Sequence, residues 1–262
     1  METIKLWENI PGMCEEEPVL EYYPAEVKKS KSTVVILPGG GYGMRANHEG
    51  EGYARYFNSL GMDAFVCQYR VSPHRFPLPI MDARRAVQYV RCNAEKYDIN
   101  PDAIGIMGSS AGGHLAATVC TLLEDFTNEL KVQDDIDKAD YIPNFQILCY
   151  PVIRLEGFGH VGSGHNLLGN RDVSSPRRIS LACDKNIHER TPKAFVWHTF
   201  EDATVNVKNS LCYVSALKDK EIMSELHIFP NGRHGLGLAR ESFNVSQWAN
   251  LLKNWLILNE WL

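Results

Sequence analysis

Short apolar runs and longer amphipathic ones alternate along the chain. Apolar runs at 4–6, 19–23, 34–37, 64–69, 104–107, 146–150, 194–197 and 225–229 carry much Val, Ile and Phe, and the later ones show little alternation. Strands buried on both faces of a parallel sheet read in this way. Helical spacing falls between them, at 49–60, 80–97, 113–123, 207–218 and 242–258. Gly61 is placed to end the first of these helices, and Ala83, Ala86, Val87 and Val90 share one face of the second. Strand and helix in alternation predict an α/β fold with an eight-stranded, mostly parallel sheet and helices on both faces. No helical pattern separates the first two strands, so they are expected to pair as an antiparallel edge. In the last helix Trp248, Leu251, Leu252, Trp255 and Leu258 form a stripe without a basic opposite face, the spacing of a core helix rather than a membrane anchor.

One segment, 152–192, breaks the rhythm. It holds Gly157, Gly159, Gly162, Gly164 and Gly169 among scattered charges and shows no clean period. An irregular stretch of this length in a compact domain serves function more often than packing, so it is read as a cap-like insert or binding wall in a single domain over 1–262. No repeat or linker divides the chain. At 262 residues, 44% hydrophobic and 23% charged, the composition is that of an ordinary globular protein. The net charge of −5 and the lack of a basic stripe argue against a nucleic-acid partner. No apolar run reaches membrane-spanning length, and the N-terminal residues lack a secretory pattern, so a cytoplasmic location without membrane contact is expected. The seven cysteines (Cys14, Cys67, Cys92, Cys120, Cys149, Cys183 and Cys212) are scattered and odd in number, which fits reduced thiols.

The chemistry gathers after the strands. The run at 104–107 leads into Gly108-Ser109-Ser110-Ala111-Gly112-Gly113 and then a small-residue helix. This is G-x-S-x-G in the strand–turn–helix setting that an exposed, strained nucleophile requires. The residues two before and two after Ser110 must be tiny so that strand and helix can approach. Serine needs a base, and the base needs an orienting carboxylate. Both stand after later strands, Glu201-Asp202 beyond 194–197 and His234 beyond 225–229. Loops at the carboxyl ends of parallel strands share one edge of the sheet, so Ser110, His234 and a carboxylate of the Glu201-Asp202 pair can converge there. The strand at 34–37 ends in Pro38-Gly39-Gly40-Gly41-Tyr42, and unobstructed amides of Gly40 and Gly41, with that of Ala111, are the expected oxyanion donors.

Together these segments, with Trp197-His198 and Arg233-His234-Gly235-Leu236-Gly237-Leu238, resemble the acetyl xylan esterase-like branch of the α/β-hydrolases, a neighbour of the hormone-sensitive-lipase-like esterases. The resemblance implies an α/β-hydrolase fold, Ser110 as nucleophile, His234 as base and Asp202 as its partner. The lipase-like enzymes place His where this chain has Pro38, Asp where it has Ser109, and often an N-terminal cap for which few residues precede Pro38 here. These departures point away from long-chain lipid esters.

The expected function is a serine carboxylesterase that cleaves short, acetyl-type esters on small sugars through an acyl-enzyme. Its partner is then a small-molecule ester, and neither cofactor nor metal is called for. The oligomeric state is left open, and a homo-oligomer is compatible with the sequence. Two rivals stand beside this reading: a serine peptidase like prolyl oligopeptidase, which normally has a large extra domain, and a ligand-binding homologue that has lost activity. The run 157–162 matches G-x-G-x-x-G, but Ser163-Gly164-His165-Asn166 is a poor helix opening, so a dinucleotide site is not inferred. His160 and His165 lack a third ligand at a recognised spacing and read as pocket-lining residues. His114 and His198 read as supporting residues, and Glu15-Glu16-Glu17 as a solvated turn.

Overall fold

The computed structural model describes the chain except residues 13–15 and 131–132, so Cys14 and Glu15 lie outside the described residues. Eight strands form one sheet: β1 (Glu2–Lys5), β2 (Val19–Tyr23), β3 (Thr33–Leu37), β4 (Asp63–Gln68), β5 (Ile104–Ser109), β6 (Phe145–Cys149), β7 (Lys193–Thr199) and β8 (Ser224–Phe229), in the order β1-β2-β4-β3-β5-β6-β7-β8. β1 and β2 are the expected antiparallel edge, β2 also runs antiparallel to β4, and every other pairing is parallel. This is the α/β-hydrolase sheet.

Alternate residues of the central strands feed two separate cores. Val35, Leu37, Ile104, Ile106, Leu148 and Val196 face the helices α2 (Leu78–Cys92), α3 (Ser110–Thr121) and α6 (Lys208–Asp219). Val34, Ile36, Met107, Ile147, Phe195 and Trp197 face α1 (Glu51–Leu60) and α7 (Gln247–Leu258). The strands lack polar alternation because both sides are covered. Gly61 ends α1 in the left-handed conformation, at φ 85°, as its position suggested. In α7 the buried set is Trp248, Leu252, Trp255 and Leu256, whereas Leu258, expected in the stripe, is 79% exposed in the last turn, beyond the edge of the sheet core.

Other expectations need correction. β8 is not a doubly covered strand: it pairs on one side only, with β7, and most of it is half-buried. Segment 152–192 is not irregular throughout. It holds α4 (Val161–Leu168) and α5 (Pro176–Ser180). Despite its glycines, α4 forms because the His160 ring caps it, with Nδ1 accepting from the Ser163 amide at 3.2 Å, and because Gly169 closes it at φ 68°. α2 stops at Cys92 rather than 97, where the chain turns through Asn93. Among the described residues no helix is long and apolar enough to cross a membrane.

The chain passes from β3 through α1 on one face to β4, and from β5 through α3 on the other face to β6. Since β3 and β5 are neighbours, the connections part company between their carboxyl ends. A crevice at such a switch point is where ligands bind in open α/β sheets. Pro38–Gly41 and Ser110 are the residues that follow these two strands.

Candidate active site

β5 runs directly into α3, and Ser110 is the hinge, with φ 53°. A non-glycine residue in this region is strained, and the strain persists only because the surroundings fix it. The flanking glycines explain how. A Cβ on Gly108 would overlap the Gly112 carbonyl, and one on Gly112 would overlap the carbonyls of Leu37 and Pro38. Strand, helix and glycine run therefore meet backbone to backbone, as the sequence spacing requires. Ser110 is 8% exposed.

The topology brings together the three residues that lie far apart in sequence. The Ser110 hydroxyl donates to His234 Nε2 at 2.8 Å, and His234 Nδ1–H donates to Asp202 Oδ2 at 2.6 Å. Asp202 Oδ1 accepts from the amides of Thr204 and Val205, both at 2.9 Å. Burial works to raise the Asp202 pKa, but hydrogen bonds from His198, His234 and the Val205 amide outweigh it and hold the carboxyl well below its ordinary range. The carboxylate thus stays ionised and fixes the tautomer of His234 with Nε2 free to accept a proton. His198, fully buried, stands 3.4 Å from Asp202 Oδ2, donates from Nε2 to the Val205 carbonyl at 2.9 Å and accepts at Nδ1 from Ser210. It braces the turn that carries the acid. Glu201, the neighbouring carboxylate, points elsewhere: it accepts from Asn231 and from the Gly232 amide at 2.7 Å, and so anchors the loop that bears His234.

The glycine run abuts the elbow, since a Cβ on Gly39 would stand 2.8 Å from the Ser109 carbonyl and 3.1 Å from Ser110 Cβ. Gly40 and Gly41 have φ 129° and 65°, and their amides donate to no acceptor among the described residues. Ala111 lies in the first turn of α3, where amide hydrogens lack intrahelical acceptors and the helix dipole favours negative charge.

The residues least visible from sequence hold these pieces in register. Glu49, almost fully buried, accepts from the Gly39 amide at 2.8 Å and from the Tyr150 hydroxyl at 2.6 Å. Tyr150 in turn accepts from the Gly237 amide at 2.9 Å, in the loop of His234, and its ring meets His234 edge-on at 5.1 Å. Tyr53 bonds both Tyr150 at 3.2 Å and Ser109 at 2.9 Å. One carboxylate therefore ties the glycine run, the elbow and the base loop together. Tyr150 follows β6 at the same sheet edge as the other site residues, a placement that could have flagged it. His114 bridges Tyr42, which follows the glycine run, to the Leu181 carbonyl of the insert at 2.8 and 3.0 Å. The insert also reaches the site through Asn166, whose Nδ2 donates to the Gly41 carbonyl at 2.9 Å. Burial lowers the His160 pKa, and the nearby His234 lowers it further. No group of three residues able to hold a metal ion occurs among the described residues.

Residues 21–217 match the BD-FAE family model. Endo-1,4-beta-xylanase B of Butyrivibrio fibrisolvens is 36% identical over 84% of the chain, and the acetylxylan esterase of Xylanibacter ruminicola is 33% identical over 87%. The chain spans only 34% and 45% of those two proteins. The crystal structure of an acetyl ester-xyloside bifunctional hydrolase from Caldicellulosiruptor lactoaceticus is similar over 100% of this chain and 97% of its own, with 39% identity and a TM-score of 0.93.

Proposed function

Because the chain belongs to the BD-FAE family of α/β-hydrolases, we propose that it is a serine carboxylesterase that removes short acyl groups, acetyl foremost, from small sugars. The observation that carries this reading is the unbroken hydrogen-bond chain from Ser110 Oγ through His234 to Asp202 Oδ2. Its similarity to an acetylxylan esterase and to an acetyl ester-xyloside hydrolase supports the acetyl ester and the sugar.

In this mechanism Ser110 Oγ attacks the ester carbonyl carbon while its proton passes to His234 Nε2. Asp202 stabilises the imidazolium through Nδ1–H. The oxyanion lies against the amides of Gly40, Gly41 and Ala111, donors that need no reorganisation. Collapse of the tetrahedral intermediate expels the sugar hydroxyl, which leaves with the proton from His234. Water then attacks the acyl-enzyme with His234 again as base, and the acid is released. Glu49 fixes the glycine run from behind through the Gly39 amide.

A fluorophosphonate probe and a p-nitrophenyl ester series test the reading. The probe is expected to label Ser110, and kcat/KM to peak at acetyl or propionyl. A long apolar acyl pocket would contribute up to about 0.8 kcal/mol per buried methylene. Efficiency that climbs steadily to octanoyl, or a protein that the probe leaves unlabelled, would overturn it.

A further inference from the structure

A polar cleft of about 370 Å³ opens beside the insert, lined by Ser72, Arg75, His165, Asn166, Asn170 and Arg171 together with two glycines of α4 and its cap. It adjoins the site: Asn166 in its wall holds the Gly41 carbonyl. α4, eight residues or about 12 Å long, runs from His160, which feels the charge of His234, to the arginine end of the cleft.

The two arginines set this cleft apart. Most guanidinium groups elsewhere among the described residues are spoken for: Arg70 on Asp82, Arg154 on Asp184, Arg177 on Glu124, Arg178 on four backbone carbonyls. Among the described residues Arg75 and Arg171 donate to no protein acceptor, and Arg240 is the other arginine in that position. No Asp or Glu lines the cleft, although the chain carries a net charge of −5. Asp172, next in sequence to Arg171, is engaged by the Ser174 amide and hydroxyl. Arg75 is also held in place. Its loop is pinned on both sides by the Ser72 amide on the Tyr42 carbonyl at 2.8 Å and the Phe76 amide on the Leu167 carbonyl at 2.8 Å. Its guanidinium lies against Gly169, where any Cβ would displace it. His165 Nε2 is buried with no partner.

We propose that this cleft is an anion subsite for the alcohol part of the substrate, so that the preferred ester is an acetylated sugar bearing a carboxylate or phosphate. The inference rests on the esterase reading above and specifies its substrate class. A carboxylate or phosphate offers oxygens that match planar guanidinium donors, and Arg75, already held by its scaffold, binds at a reduced ordering cost. Asn166 and Asn170 supply neutral partners for sugar hydroxyls.

The test compares acetylated xylo-oligosaccharides with and without a uronic acid substituent, and an acetylated sugar phosphate beside its unphosphorylated parent. Charge-assisted hydrogen bonds predict that the acidic member of a pair is favoured in kcat/KM by about tenfold or more, chiefly through KM. A preference confined to the uronate pair or to the phosphate pair identifies the source of the anion. Arg75→Gln and Arg171→Gln should each shrink the acidic-to-neutral ratio, and 0.5 M NaCl should shrink it in the parent enzyme. Equal kcat/KM for acidic and neutral partners, or a ratio unmoved in both variants, would overturn the subsite. Binding of the same oligosaccharides to Ser110→Ala by calorimetry reads the subsite without turnover. Tighter binding of the acidic member there, combined with a parent protein that hydrolyses no acetyl ester, would refute the esterase reading and leave the subsite standing. Equal binding would refute the subsite alone.

Discussion

Lowering the pH from neutral should destabilise this fold chiefly through one residue, His114. The imidazole is fully buried four residues beyond Ser110, and burial pushes its pKa down from 6.5 to about 4. Nε2–H donates to the Leu181 carbonyl and Nδ1 accepts from the Tyr42 hydroxyl, so the neutral ring satisfies both partners and a second proton, on Nδ1, would break the bond from Tyr42. Between these two pKa values the unfolded chain binds a proton that the folded chain refuses. The stabilisation is therefore complete above pH 6.5 and is lost as pH falls, up to a limit of about 3 kcal/mol near pH 4. At pH 5 the expected loss is about 2 kcal/mol. Asp202 titrates below this window, since its carboxyl is held under the ordinary carboxylate range. His160 and His188, lowered by burial but only partly enclosed, add smaller contributions of the same sign. Urea unfolding at pH 8, 6.5, 5.5 and 5 measures the effect. His114→Gln supplies the comparison, because an amide can accept from Tyr42 and donate to Leu181 without titrating. The variant should lose most of the decline. If parent and variant fall in parallel, His114 is not the source.

Further outcomes follow from the site. Ser110→Ala should lower kcat by about 10⁶-fold in acetyl ester hydrolysis, with a melting temperature close to that of the parent. Asp202→Asn should cost about 10⁴-fold in kcat, because it deprives His234 of the acceptor that sets its tautomer, while Glu201→Gln costs less than about tenfold; steady-state kinetics of the pair would expose the reverse order. Glu49→Gln should reduce kcat by about 10- to 100-fold with little change in KM, since a charge-assisted hydrogen bond to the Gly39 amide contributes about 1.5–3 kcal/mol; a change confined to KM would remove Glu49 from the support of the glycine run.

What could be read from the residues divides along a physical line. Strands buried on both faces announce themselves, because composition alone records their surroundings, and β3, β5, β6 and β7 fall within a residue or two of their apolar runs. β8 was less legible: an edge strand with one partner carries the same Ile and Phe but not the same burial. Ser110 and the glycine run stood out because each follows a strand and requires a rare local pattern, whereas His234 was marked by its place after a strand and Asp202 was favoured over the adjacent Glu201 by family resemblance. Glu49 and Tyr150 meet neither condition. A buried carboxylate and a buried phenol each look like ordinary residues until their partners are known, and those partners, Gly39 and Gly237, lie 10 and 87 residues away. α4 shows the same limit from the other side. Glycines argue against a helix by intrinsic propensity, a cost of about 1 kcal/mol each, yet the His160 cap and the hydrogen bond from Asn166 to Gly41 outweigh it. One of the contacts that hold this helix is made to the distant glycine run, and that contact could not be read from the helix's own residues.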